Sequence, residues 1–187
     1  ADGYKFQFKI TSTLLEMTAS GAVKGTEALR AMKGSYTLEI PRFLNGKKVL
    51  GIEKGAFSSN EEEKAYSFNK LVLPDTVSSI GEKAFMNCNS LTEVSVNSVV
   101  TEISDYVFSG CSSLKIFTIP DGVTSIGKEA FKLCSALSEI STPGSVKIIG
   151  KGAFEGCSNL GKVTLSKGLE SIEDKAFASC IKLPTVL

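Results

Sequence analysis

From Ile80 to Leu183 the chain repeats itself every 23 residues, and that interval limits the folds open to it. "IGEKAFMNCNSL", "ISDYVFSGCSSL", "IGKEAFKLCSAL", "IGKGAFEGCSNL" and "IEDKAFASCIKL" follow one another in step. Phe85, Phe108, Phe131, Phe154 and Phe177 form one column, and Cys88, Cys111, Cys134, Cys157 and Cys180 a second. Leu91, Leu114, Leu137, Leu160 and Leu183 form a third. Ile80, Ile103, Ile126, Ile149 and Ile172 keep the same step, as do Val77, Val100, Val123, Val146 and Leu169. Chance clustering of apolar residues does not hold so many columns in phase, and a fixed period of this length marks a stacked repeat architecture. A degenerate copy lies upstream in "VLGIEKGAFSSN", where Val49, Ile52, Ala56 and Phe57 take the same roles. From Phe57 to Phe85 is 28 residues, so five extra residues fall within "SSNEEEKAYSFNK", and Asn60 stands where the later copies have cysteine.

Each unit has a physical reading. After the cysteine comes L-x-x-V-x-V, as in Leu91, Val94 and Val96 or Leu114, Phe117 and Ile119. Apolar and polar residues that alternate in this way predict a strand with one buried face. "IPDG" and "TPGS" then turn the chain. A second apolar pair, Val77 with Ile80 and its equivalents, sends two more side chains inward. The A-F segment is too short for an autonomous helix and is expected to form one helical or 3₁₀ turn. No unit buries enough apolar surface alone, so the copies must stack into a solenoid. Equivalent strands are then parallel and in register, roughly 4.8 Å apart, in a right-handed coil.

The consensus L-x-x-(I/V)-x-(I/V)-P-x-x-V-x-x-I-G-x-x-A-F-x-x-C-x-x-L resembles the leucine-rich repeat of BspA-like bacterial surface proteins, also called the Treponema pallidum type. The resemblance covers residues 38–187, and "YTLEIPRFLNGKKVLGIEKGAF" resembles the first repeat of such proteins, with Asn45-Gly46 supplying a tight turn. Thr142 in an inward row and Val107 in place of the alanine of A-F are minor departures. The resemblance implies an α/β-type repeat solenoid, a leucine-rich-repeat coil with one parallel sheet of short strands. It also implies a non-catalytic adhesion module that is secreted or displayed on a bacterial surface and binds a protein or glycan, host extracellular matrix included. The alternative is a structural spacer or assembly repeat of a larger surface protein.

Residues 1–37 lie outside the period and are expected to cap the solenoid with a strand hairpin and a short helix, leaving 38–187 as the repeat domain. "YKFQFKI" alternates cleanly, Leu15, Met17 and Ala19 suggest a second strand, and "TEALRAMKG" suggests a helix closed by Gly34. The chain opens on "ADGYKF" without a leading Met, which fits a removed targeting peptide or a shortened chain. It stops at "LPTVL", partway through the next expected strand, so that last rung is expected to be followed by further chain or covered by a partner, self-association included.

The chain contains no His, which removes Ser-His-Asp and Cys-His catalysis and every His-containing zinc site. Lys and Arg number 21 against 20 Asp and Glu, a net charge of +1, which offers no surplus for a phosphate backbone. No apolar run approaches the ~20 residues that span a bilayer. An odd number of cysteines without C-x-x-C spacing predicts buried free thiols, with neither bridges nor metal ligands. "EEEK" (Glu61 to Lys64) lacks the alternating oxygen donors of a calcium loop and is expected to be solvated. We therefore expect no cofactor, no metal and no enzymatic activity.

The surface left for function is the solvent face of the sheet. Alternation puts Val72, Ser95, Thr118, Ser141 and Thr164 in its middle row and Lys70, Glu93, Ile116, Glu139 and Lys162 along one flank. Pro74, Asn97, Pro120, Pro143 and Ser166 form the other flank. The candidate ligand contacts are Val72, Glu93, Ser95, Ile116, Thr118, Glu139, Ser141, Lys162 and Thr164, with Ile116 the nearest thing to an anchor. The plainer reading is that hydroxyl and β-branched residues suit a flat ladder, and that opposite charges on neighbouring rungs relieve each other.

Overall fold

The structure, a computed structural model, describes residues 15–59, 66–97 and 99–184. Its first strands, β1 (Leu15–Met17) and β2 (Ala22–Gly25), form an antiparallel hairpin with Leu15 opposite Gly25. One helical turn follows, α1 (Glu27–Arg30), whose Leu29 N–H donates to the Thr26 hydroxyl at 3.4 Å, an ordinary N-cap. Then come β3 (Tyr36–Glu39) and a two-residue hairpin, β4 (Phe43–Leu44) with β5 (Lys47–Lys48). Asn45 and Gly46 turn that hairpin at φ 52° and 76°, as the Asn-Gly pair predicts. The strand β6 (Gly51–Ile52) leads into the repeats.

From there long and short strands alternate. The longer set adds β7 (Phe68–Val72), β9 (Glu93–Ser95), β11 (Ile116–Phe117), β13 (Glu139–Ser141) and β15 (Lys162–Thr164). Between them lie β8 (Ser79–Ile80), β10 (Glu102–Ile103), β12 (Ser125–Ile126), β14 (Ile148–Ile149) and β16 (Ser171–Ile172). β3, β7, β9 and β11 form one parallel sheet, and β13 with β15 continues on the same side of the rungs. Registers such as Leu71 to Val94 and Ile140 to Val163 are those of the 23-residue period. The short strands make a second, narrow ladder, β2-β6-β8 and then β10-β12-β14-β16. Ile80 and its equivalents thus sit in a short strand of their own, with Val77 and its equivalents just before it, where the sequence suggests only two inward side chains.

The N-terminal segment supplies β2 to the narrow ladder and β3 to the broad one, so it stacks as a rung itself. Its helix ends at Arg30 with Ala31 as C-cap, three residues short of Gly34, and its first strand ends at Met17, where Gly21 N–H bonds back to the Thr18 carbonyl at 3.1 Å. "YKFQFKI", Asn60, the acidic insertion and the last three residues of "LPTVL" lie outside the described residues.

The A-F segments are runs of hydrogen-bonded turns, not the helical or 3₁₀ turns expected. The cause is backbone handedness. Two residues per rung take positive φ, for example Lys83 (60°) and Asn87 (61°), Glu129 (51°) and Leu133 (60°), or Lys175 (59°) and Ser179 (59°). A left-handed residue ends a right-handed helix wherever it falls. The turns bond across rungs instead: the N–H of Phe85, Phe108, Phe131 and Phe154 reaches the carbonyl of Val107, Ala130, Ala153 and Ala176 at 2.7–2.9 Å. Gly150 has to lack a side chain, because a Cβ there would meet the backbone of Gly127 at 2.8 Å.

The core is continuous from end to end. The rings of Phe57, Phe85, Phe108, Phe131, Phe154 and Phe177 stack with centroids 5.2–5.6 Å apart. The step from Phe57 to Phe85 joins that stack despite its five extra residues. Leu91, Leu114, Leu137 and Leu160 are buried beside them, while Phe177 and Leu183 are only partly covered in the last described rung.

Candidate binding face

The cysteines stand where stacking predicts, and they are free and buried. Each thiol donates to the carbonyl of a phenylalanine one rung earlier: Cys88 to Phe57, Cys111 to Phe85, Cys134 to Phe108, Cys157 to Phe131 and Cys180 to Phe154, at 3.1–3.2 Å. Burial pushes the thiols of Cys111 and Cys157 up to about 12 and raises those of Cys88, Cys134 and Cys180 as well. A thiol held protonated is neither a nucleophile nor a metal ligand. Among the described residues no group of three His, Cys, Asp or Glu side chains could hold an ion.

The solvent face of the broad ladder carries Glu93, Ser95, Ile116, Thr118, Glu139, Ser141, Lys162 and Thr164 exposed and Val72 half-buried. Lys70 pairs with Glu93 at 2.7 Å and Lys162 with Glu139 at 3.4 Å, as cross-strand neighbours. Pro120, placed by alternation on the outer flank, is buried instead. Asn97 on that flank is tied down, its amide donating to the carbonyls of Pro74 and Val77 at 2.5 and 3.2 Å. Buried Thr142 is explained by its hydroxyl, which accepts the Ser166 N–H at 3.0 Å.

Ile116 is 60% exposed and stands between two hollows. One, of about 310 Å³, is bounded by Ile116, Thr118, Glu139, Ser141, Lys162 and Thr164 and floored by Phe117 and Ile140. The other, of about 480 Å³, lies between Ile116 with Thr118 and residues 93–96. The first lies over a break in the sheet, since β11 pairs with β9 but forms no ladder with β13. Elsewhere the backbone closes this row: Ile40 N–H to Val72, Leu73 to Ser95 and Thr142 to Thr164, at 2.9–3.1 Å. The N–H groups of Val96 and Ile119, equivalent by period, find no such partner among the described residues. Phe117 is the bulky member of a column that other rungs fill with Val94, Ile140 and Val163. Its ring wedges 4.8 Å from that of Phe131 and 5.2 Å from that of Phe108.

The sequence brought Ile116 and its neighbours to one face. It did not reveal the break, whose only mark is one aromatic in a column of aliphatics.

Residues 51–184 match the BspA type leucine-rich repeat region, in 6 copies. The chain belongs to the BspA-type leucine-rich repeat family. A leucine-rich repeat protein from Bacteroides ovatus is similar to this BspA-type chain at 31% identity, with a TM-score of 0.76 over 95% of this chain and 46% of that one. A leucine-rich cell surface protein from Faecalibacterium prausnitzii is 36% identical, with a TM-score of 0.67 over 81% of this chain and 37% of its own. The BspA-type chain therefore spans less than half the length of these two. The Treponema pallidum leucine-rich repeat protein, 22% identical with a TM-score of 0.64 over 95% and 91% of the two chains, shares the fold. Among curated proteins none is significantly similar. No helix among the described residues is long and apolar enough to cross a membrane.

Proposed function

We propose that this chain is a non-catalytic binding module of a secreted or surface-displayed bacterial protein. It engages a protein or glycan, host matrix proteins included, through the solvent face of the broad ladder. The observation that carries this reading is Ile116, an aliphatic side chain held out between two hollows on an otherwise polar sheet. A few anchor side chains ringed by near-neutral contacts carry most of the energy of an interface, and Ile116 is the candidate for that role on this face. Membership of a family of bacterial repeat proteins, and a relative described as a cell surface protein, support the compartment. Affinity capture with host extracellular proteins tests the face: Ile116→Asp and Thr118→Lys should each lower retention at least tenfold. Equal retention by both variants and the parent chain would remove the sheet from consideration.

A second reading, a spacer or assembly element of a longer protein, draws on the chain's spanning less than half the length of the two similar proteins above. Light scattering separates the two readings, since association that grows with concentration and vanishes in Ile172→Lys favours assembly.

A further inference from the structure

Both ladders are interrupted once among the described residues, but only one interruption is mended. The narrow ladder breaks between β8 and β10, where Ser104 stands in place of the glycine found at Gly81, Gly127 and Gly150. There the Ser104 hydroxyl donates to the Ile80 carbonyl at 2.5 Å and replaces the missing backbone bond. The break beside β11 has no substitute of this kind, and it opens outward. Phe117 and Ile140 point into the core and are 4% and 2% exposed, and both line the outer hollow, as buried Val94 lines the hollow over the paired strands β9 and β11. Above that floor stands Ile116, with its register partner Glu93 roughly 4.8 Å away on one side and Glu139 on the rung across the break. The charge row along the flank reads Lys70, Glu93, Ile116, Glu139, Lys162, so each side of the apolar centre carries a carboxylate that is ion-paired outward with an exposed lysine.

Resting on the binding face proposed above, we propose that the break beside β11 is the seat for one apolar side chain of an extended peptide segment. Lys or Arg residues on either side of that side chain meet Glu93 and Glu139. The apolar group covers Ile116 and the floor formed by Phe117 and Ile140, which no backbone ladder closes. The chemistry favours peptide over sugar, because no exposed aromatic ring lines the hollow to stack on a pyranose.

The test uses fluorescently labelled short peptides with a central leucine and a lysine two residues to each side, against counterparts with glutamate flanks or a central serine. The lysine–leucine peptide should bind the parent chain, and both counterparts should bind at least tenfold more weakly. Glu93→Lys combined with Glu139→Lys should reverse the preference toward the glutamate-flanked peptide. Phe117→Val, which lets the strands close, should weaken binding severalfold while raising amide-exchange protection at Ile119. If the parent chain binds none of the peptides, or does not distinguish their flanks, the inference is overturned. If Phe117→Val leaves affinity unchanged although Ile116→Asp abolishes protein capture, the face survives and the seat in the break does not.

Discussion

Cys134 shows how one side chain serves the stack. Its Sγ lies 3.2 Å from the Phe108 carbonyl, and burial keeps it protonated. The same burial raises Cys111 and Cys157 from 9.0 to about 12, which makes the fold sensitive to alkali. Below pH 9 these thiols are protonated folded and unfolded alike, and their contribution is fully present. As pH rises from 9 toward 12 the unfolded chain releases their protons and the folded chain does not, so that stability is lost. Urea midpoints should therefore hold up to pH 9 and fall beyond it, less steeply in Cys111→Ala. In the folded chain a thiol reagent should reach Cys180, which is 7% exposed, before Cys111, Cys134 and Cys157, which are fully covered. The left-handed residues give a second test. Lys175 is exposed at φ 59°, and left-handed backbone costs an ordinary residue about 1–2 kcal/mol; since glycine also frees the unfolded chain by about 0.4–1 kcal/mol, Lys175→Gly should raise stability by a fraction of a kcal/mol. Gly152→Ala should lower it similarly, since φ is 62° and the new Cβ would crowd the Glu155 carboxylate at 3.1 Å.

At the scale of the element, the phenylalanine stack runs the length of the core. Phe131 is fully buried and lies 5.6 and 5.2 Å from the rings on either side. Phe131→Ala should cost about 3–5 kcal/mol. Phe177→Ala should cost clearly less, since its outer side is partly open, and chemical denaturation of the two variants measures the difference. This stack was legible in the sequence because large rings at a constant interval are buried most simply by lying one above another. The narrow ladder was not, because two residues such as Ser125–Ile126 are too few to show alternation. The turns resemble helix in the sequence for a related reason. "GKEAFKLC" is built of good helix formers, and nothing in the identities of Glu129 or Leu133 announces a left-handed backbone. Gly152, Gly156 and Asn87 at equivalent positions were the available hint, since these residues tolerate such geometry. At the candidate site, alternation placed Ile116 outward correctly. The broken sheet falls at Phe117, whose size against its neighbours above and below a binary apolar pattern does not register.

For the whole molecule, stability approximates a sum of rung and interface contributions. The ion pairs on the sheet face, Lys70 with Glu93 and Lys162 with Glu139, are well exposed, and such pairs contribute about 0–1 kcal/mol. High salt should therefore shift the denaturation midpoint little. A stronger test follows from the strict phase of the registers, in which strand residues face their equivalents 23 positions away. Excision of residues 115–137, which number 23, joins Leu114 to Ser138 and leaves every remaining column aligned. The shortened chain should fold cooperatively, with a circular dichroism spectrum like that of its parent, whereas removal of 22 residues from the same place should not. That excision also deletes Ile116 and Phe117 and so yields a folded molecule without the candidate seat. Because adjoining coils are interchangeable spacers of equal height, recombination within such a gene can lengthen or shorten the product one whole unit at a time. The reach of the protein is then a heritable quantity that changes without any residue having to be invented.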